Sequence, residues 1–204
     1  MEAFKTHRGL IATLDRANVD TDQIIPKQFL KSIARTGFGE HAFADWRYRP
    51  DGSSNPDFEL NAPRFHGASI LVTRHNFGCG SSREHAVWAV QQYGFQAIVA
   101  PRFADIFRNN STKNGLLTVE LAEPEVEEIF RMVGRYPALE ATVDLEHQRL
   151  VLHLAEELAF HFEIEPAVKT HLIRGLDEIG LTLQREDAIA SFESTHDPQW
   201  SARH

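Results

Sequence analysis

Hydrophobic positions along the chain follow three successive rhythms. Gly9–Thr13 (GLIAT), Ala68–Thr73 (ASILVT), Ala97–Ala100 (AIVA) and Leu116–Leu121 (LLTVEL) are short apolar runs with little polar alternation. The first three read as buried strands and Leu116–Leu121 as a further strand. Between them the spacing turns helical. Ala86, Val90 and Tyr93 share one face of a helix that Ser81 or Ser82 would N-cap and Gly94 would end. Phe103, Ile106 and Phe107 share a face over residues 103–110, and Gly115 suits the C′ position that follows. Pro124 opens a helix whose stripe is Val126, Ile129, Phe130 and Val133. This β-α-β-α-β-α order predicts largely parallel pairing with right-handed crossovers.

After Pro137 the period becomes two. Val143 and Leu145, then Leu150, Leu152 and Leu154, then Phe160, Phe162 and Ile164 alternate with polar residues. Half-buried antiparallel strands read that way. Two short helices, over 167–174 and 186–192, are expected to finish the fold. The whole reads as one α/β domain, residues 1–193, with mixed parallel and antiparallel strands and a flexible tail over 194–204. Residues 29–43 look mostly helical or irregular. Arg47–Asn61 carries Pro50, Gly52, two serines and Pro56, which predicts a long exposed loop.

Composition narrows the function. The 204 residues carry 21 Lys and Arg against 29 Asp and Glu, a formal charge of −8, which disfavours a nucleic-acid or acidic-membrane binder. The single cysteine, Cys79, excludes an intramolecular disulfide framework and a self-contained iron–sulfur cluster. The N-terminus has no apolar run of the signal-peptide kind, and no segment approaches the roughly 20 apolar residues of a membrane span. A soluble, cytoplasmic protein is expected.

Candidate chemistry concentrates in Asn76-Phe77-Gly78-Cys79-Gly80-Ser81-Ser82-Arg83-Glu84-His85. A buried strand feeds a glycine turn and then a helix start, so main-chain N–H groups and the positive end of a helix dipole converge, a setting that attracts carboxylate or phosphate. Two hydroxyls and a guanidinium add donors suited to carboxylate. The bland alternative is a capped helix with Arg83 paired to a neighbouring acid. The string lacks the third glycine of a dinucleotide fingerprint and the Gly-Lys-Ser/Thr ending of a P-loop. Glycines on both sides of Cys79 point to a residue chosen for small size rather than a reactive thiol. Asp20-Thr21-Asp22 reads by itself as an Asx-type turn at a strand start and lacks the further oxygen ligands of a calcium loop. His75 and His85 are the histidines near the glycine turn, and no His pair has zinc-site spacing, so no metal site is expected.

Taken in order, DTDQIIP (20–26), LKSIARTGFGEHAF (30–43), NFGCGSSREHA (76–86) and AIVAPRFADIFRNN through KNGLL (97–117) resemble the swivel domain of the aconitase family. The match is best to its free-standing form, the small subunits of bacterial 3-isopropylmalate dehydratases. The resemblance implies a swivelling β/β/α domain that pairs with a separate large subunit. That partner would carry the [4Fe-4S] cluster, and this chain would bind no cofactor. The implied reaction isomerises the dicarboxylate 2-isopropylmalate to 3-isopropylmalate through 2-isopropylmaleate in leucine biosynthesis. By position, Ser81 would be the general base, Arg83 would grip a substrate carboxylate, and Asp22 would orient a basic group. Gly80 and Ser82 would lie against the substrate, with Ser82, Glu84 and His85 supporting the turn. Relatives acting on citrate-like acids have an arginine where Ile33 stands, and an apolar side chain there suits an isopropyl group; Lys31 and Arg35 are alternatives that could reach in. Rival readings are the small subunit of a homoaconitase or of a citraconate (methylmalate) dehydratase, or a non-catalytic carboxylate-binding regulatory subunit.

Overall fold

A computed structural model describes residues 1–30, 35–176 and 178–195. At its centre one strand is used twice. Strand β1 (Thr6–Leu14) alternates exposed and half-buried residues over Thr6–Gly9, and is buried throughout Ile11–Leu14. Its first half, Thr6–Leu10, pairs antiparallel with β5 (Glu140–Asp144). Its second half, Ile11–Leu14, pairs parallel with β2 (Ile70–Thr73). The polar Thr6-His7-Arg8 suits a strand with one face in water, whereas Ile11, Ala12 and Leu14 need cover on both faces.

From β1 the sheet extends two ways, in the order β4-β3-β2-β1-β5-β6-β7. On one side β3 (Ala97–Ala100) and β4 (Leu117–Glu120) continue the parallel pairing. On the other, β6 (Arg149–Leu152) and β7 (Leu158–His161) continue the antiparallel pairing. The change of rhythm after Pro137 is thus the change of pairing. The helices are α1 (Thr21–Ile24), α2 (Ala44–Arg47), α3 (Glu84–Tyr93), α4 (Asp105–Asn114), α5 (Glu123–Arg135), α6 (Pro166–Arg174), α7 (Glu178–Leu183) and α8 (Glu186–Thr195). Helix α3 joins β2 to β3 and α4 joins β3 to β4, while α5 lies against β1, β2 and β3. Val126, Ile129 and Val133 of α5 are buried and Phe130 packs at their edge, as the stripe predicts.

Some expectations change. Ile106 does not share the buried face of Phe103 and Phe107; it is 48% exposed. Phe103 precedes the helix, bridged to Phe77, and its ring stacks with Phe107 at 13°, so the inward face runs through Phe103, Phe107 and Ser111. The 47–61 segment is exposed from Tyr48 to Ser54 but buries Phe58 and Leu60. Asn61 Nδ2 fastens that return, donating to the carbonyls of Arg47 and Asn55. Proline, glycine and serine density masked two core anchors. Among the described residues of 29–43, Phe38 and Phe43 are buried, and short 3-10 turns lie over 27–29 and 39–41. Ser194 and Thr195 complete α8, and residues 196–204 of the expected tail lie outside the described residues.

Candidate functional site

Loops leaving the carboxyl ends of β1, β2 and β3 are laced together by main-chain hydrogen bonds. Asn18 N–H donates to the His75 carbonyl (2.9 Å), Gly78 N–H to Val19 (2.7 Å), Thr21 N–H to Cys79 (2.8 Å), Asn76 N–H to Arg102 (2.9 Å) and Ala104 N–H to Phe77 (3.1 Å). Open α/β sheets place ligand crevices at this end. Two residues in the left-handed region root the loops, Asn18 (φ 55°) and Asn76 (φ 64°), and Asn76 Nδ2 donates to Asn18 Oδ1 at 2.9 Å. Asparagine is among the few residues besides glycine that adopt that conformation readily.

The turn that follows requires its glycines. At Gly78 (φ +77°) a Cβ would stand 2.2 Å from Cγ of the buried Phe107 ring, and Gly80 has φ +93°. Cys79 between them turns its thiol toward the Asn18 carbonyl, 3.4 Å away. Burial, and then the Asp20 charge, push this thiol's pKa up, which suits a small filler rather than a nucleophile.

Neither Ser81 nor Ser82 caps α3. The N-cap is Arg83, in extended backbone (φ −129°, ψ 108°), and no side chain bonds the helix start. The helix starts at Glu84, so both serines lie before the cap. Ser81 is held through its carbonyl, which accepts from Thr21 Oγ1 at 3.1 Å. Both hydroxyls are exposed, and among the described residues they, and the N–H groups of Gly80, Ser81 and Ser82, engage no hydrogen-bond partner. Unengaged donors at the head of a ten-residue helix form an electropositive, anion-attracting surface.

Asp20 and Asp22 have separate tasks. Asp20 is not part of a turn at a strand start; it caps α1, its Oδ1 accepting Gln23 N–H (2.8 Å) while Gln23 Oε1 accepts Asp20 N–H (2.9 Å). Asp22, one residue into that helix, accepts from Arg83 Nη1, and Lys27 Nζ lies 3.6 Å from its other oxygen. The Arg83 side chain is 14% exposed and that of Asp22 39%.

Fold and turn therefore bring Gly80, Ser81, Ser82, Arg83 and Asp22 together. Arg35 goes elsewhere: its guanidinium lies over the Trp88 ring, 5.5 Å from the centroid, and its carbonyl takes Gln92 Nε2, farther along α3. Lys31 and Ile33 lie outside the described residues. His85 packs its ring against Phe38 and Trp88, away from the turn. Glu84 accepts from Asn114 Nδ2 (2.9 Å), and Asn114 Oδ1 accepts from Trp88 Nε1 (2.8 Å), clasping the head of α3 to the end of α4. Sequence reasoning missed this clasp, for an asparagine before Gly115 signals only a helix end. It also missed Lys27, whose one signal was its place directly after DTDQIIP.

The serine-arginine turn lies on an open face. A cleft of about 680 Å³ opens nearby between the stacked Phe29 and His41 rings and Tyr48, but neither Ser81 nor Arg83 lines it. Among the described residues there is no group of three or more His, Cys, Asp or Glu side chains able to hold a metal ion, and no helix is long and apolar enough to cross a membrane.

Comparison with known proteins agrees with this architecture. Residues 1–124 match the family model of the aconitase C-terminal domain, and residues 178–201 match that of the C-terminal domain of the 3-isopropylmalate dehydratase small subunit. The chain is 56% identical to the 3-isopropylmalate dehydratase small subunit of Desulforapulum autotrophicum, over 98% of each chain. Its identity to the subunit of that name from Methylibium petroleiphilum is 53%, over 95% of this chain and 93% of the other. Among solved structures, 3-isopropylmalate dehydratase (LeuD) of Methanocaldococcus jannaschii superposes with a TM-score of 0.65 at 23% identity, covering 92% of this chain and 99% of that one; at that identity the likeness is one of fold.

Proposed function

The chain belongs to the family of 3-isopropylmalate dehydratase small subunits, and from that membership we propose that it is the cluster-free half of a cytoplasmic two-subunit hydro-lyase. The pair would isomerise 2-isopropylmalate to 3-isopropylmalate through 2-isopropylmaleate in leucine biosynthesis. One observation carries the residue-level reading. An exposed Ser81 hydroxyl, unengaged main-chain donors and the Arg83 guanidinium meet at the head of α3 on an open face, so this chain presents half a site.

In this reading Arg83 binds a substrate carboxylate with its planar fork, and Asp22 positions that fork from α1. Ser81 takes the carbon-bound proton during dehydration and returns a proton during rehydration. A serine is a weak base unless its alkoxide is stabilised, and the N–H groups of the turn, the helix dipole and Arg83 are the stabilising charges at hand. Gly80 and Ser82 line the same turn. The residues of this chain do not fit an iron–sulfur cluster, since the single thiol has a raised pKa and faces a carbonyl. The cluster, and activation of the departing hydroxyl, belong in this proposal to the large subunit.

The test is reconstitution. The chain alone should show no hydro-lyase activity, and the anaerobically purified large subunit should restore it, with 2-isopropylmalate preferred over citraconate and homocitrate-type acids. Robust turnover by the lone chain would overturn the divided site. Preference for another of these acids would move the assignment to a sister enzyme.

A further inference from the structure

Helices α7 and α8 carry an apolar strip that the body of the chain leaves uncovered. Ile179 and Leu183, four residues apart and so on one side of α7, are 70% and 60% exposed, and Ile189 of α8 is 39% exposed. Every residue from 182 to 195 is exposed. Helices of six and ten residues are below the length at which a helix holds in water without packing. Resting on the small-subunit reading above, we propose that residues 178–195 are the element by which this chain docks onto the large subunit.

Three observations choose that occupant. The charged side chains of α8 are Glu186, Asp187 and Glu193, with Arg185 just before it, so two copies of the strip would set like charge against like. A complementary partner surface is apolar with a basic rim. The segment also carries its own match, to a domain particular to dehydratase small subunits, separate from the aconitase-type match over 1–124. Finally, its root adjoins the site's framework. Met1 donates its N-terminal ammonium to the Gly175 carbonyl (3.4 Å) and packs beside Gly115, next to the Asn114 that holds Glu84 at the head of α3.

The experiment pairs Ile179→Glu/Leu183→Glu with the conservative Ile179→Val/Leu183→Met in the full chain. Sedimentation against the anaerobically purified large subunit should show the Glu pair weakening assembly about 100-fold, as loss of a central apolar anchor does, and the conservative pair assembling normally. Melting temperatures of both lone variants should match wild type, because the replaced side chains project from the body. Unchanged affinity in the Glu pair overturns the proposal. So does a wild-type chain that dimerises through the strip while the Glu pair is monomeric and binds the large subunit normally. A wild-type pair that assembles, and is weakened by the Glu pair, yet does not turn over 2-isopropylmalate counts against the functional reading while it supports the docking.

Discussion

Arg83 and Asp22, 61 residues apart in the chain, form an ion pair that joins the head of α3 to α1. The arginine side chain is 14% exposed and the aspartate side chain 39%, so the arginine is held by its anchor before any ligand arrives. The pair follows from topology. Loops after β1 and β2, adjacent parallel strands, must emerge side by side.

Arg83→Lys should lower kcat/KM of the reconstituted enzyme about 100-fold although charge is conserved, because an ammonium cannot make the planar fork contact. Asp22→Asn should cost about tenfold, leaving the guanidinium present but less well aimed. Steady-state kinetics on 2-isopropylmalate measures both, and near-normal values for the lysine variant would remove Arg83 from carboxylate binding.

Ser81→Ala should lower kcat by about 10²–10⁴ with KM little changed, the scale of losing a general acid–base group. Its melting temperature should not move, since the exposed hydroxyl engages no hydrogen-bond partner among the described residues. Retained kcat would favour the non-catalytic carboxylate-binding reading.

Gly78→Ala should destabilise by about 3 kcal/mol, since it adds a Cβ against Phe107 at a positive φ. For a chain of this length that is a drop of about 6–12 °C in melting temperature by calorimetry. A shift under 2 °C, roughly half a kcal/mol, would mean the turn relaxes freely.

His7 makes stability depend on pH. Its Nε2 lies 2.7 Å from Ser69 Oγ, and partial burial holds its pKa below the ordinary histidine value of 6.5. The unfolded chain therefore binds the proton first as pH falls, so stability present above about pH 6.5 is lost as pH drops toward the folded-state value. His7→Gln keeps a polar partner for Ser69 and should lose less stability than wild type between pH 7.5 and 5.5. Parallel denaturation curves for the two proteins would rule the effect out.

Strand type and element order were legible because they depend on neighbours in the chain. Burial on two faces writes a continuous apolar run and burial on one face writes alternation, whatever the strand pairs with. The candidate turn was legible for a similar reason, since Gly78 and Gly80 satisfy a local backbone need and place Ser81 and Arg83 immediately before a helix. Ile106 and Phe58 mark the limit. One is apolar and exposed, the other lies among loop-forming residues and is buried, and only distant packing separates them.

The sequence by itself determined where the parallel half of the sheet gives way to the antiparallel half, and which short string forms the glycine turn at the head of α3. Tertiary structure alone decided that Asp20 caps a helix while Asp22 holds Arg83, that both serines stay free of the helix start, and that Arg35 rests on Trp88. Backbone conformation answers to residues within a turn or two. A side chain's partner is set by which loops the sheet order brings side by side, and no local pattern encodes that.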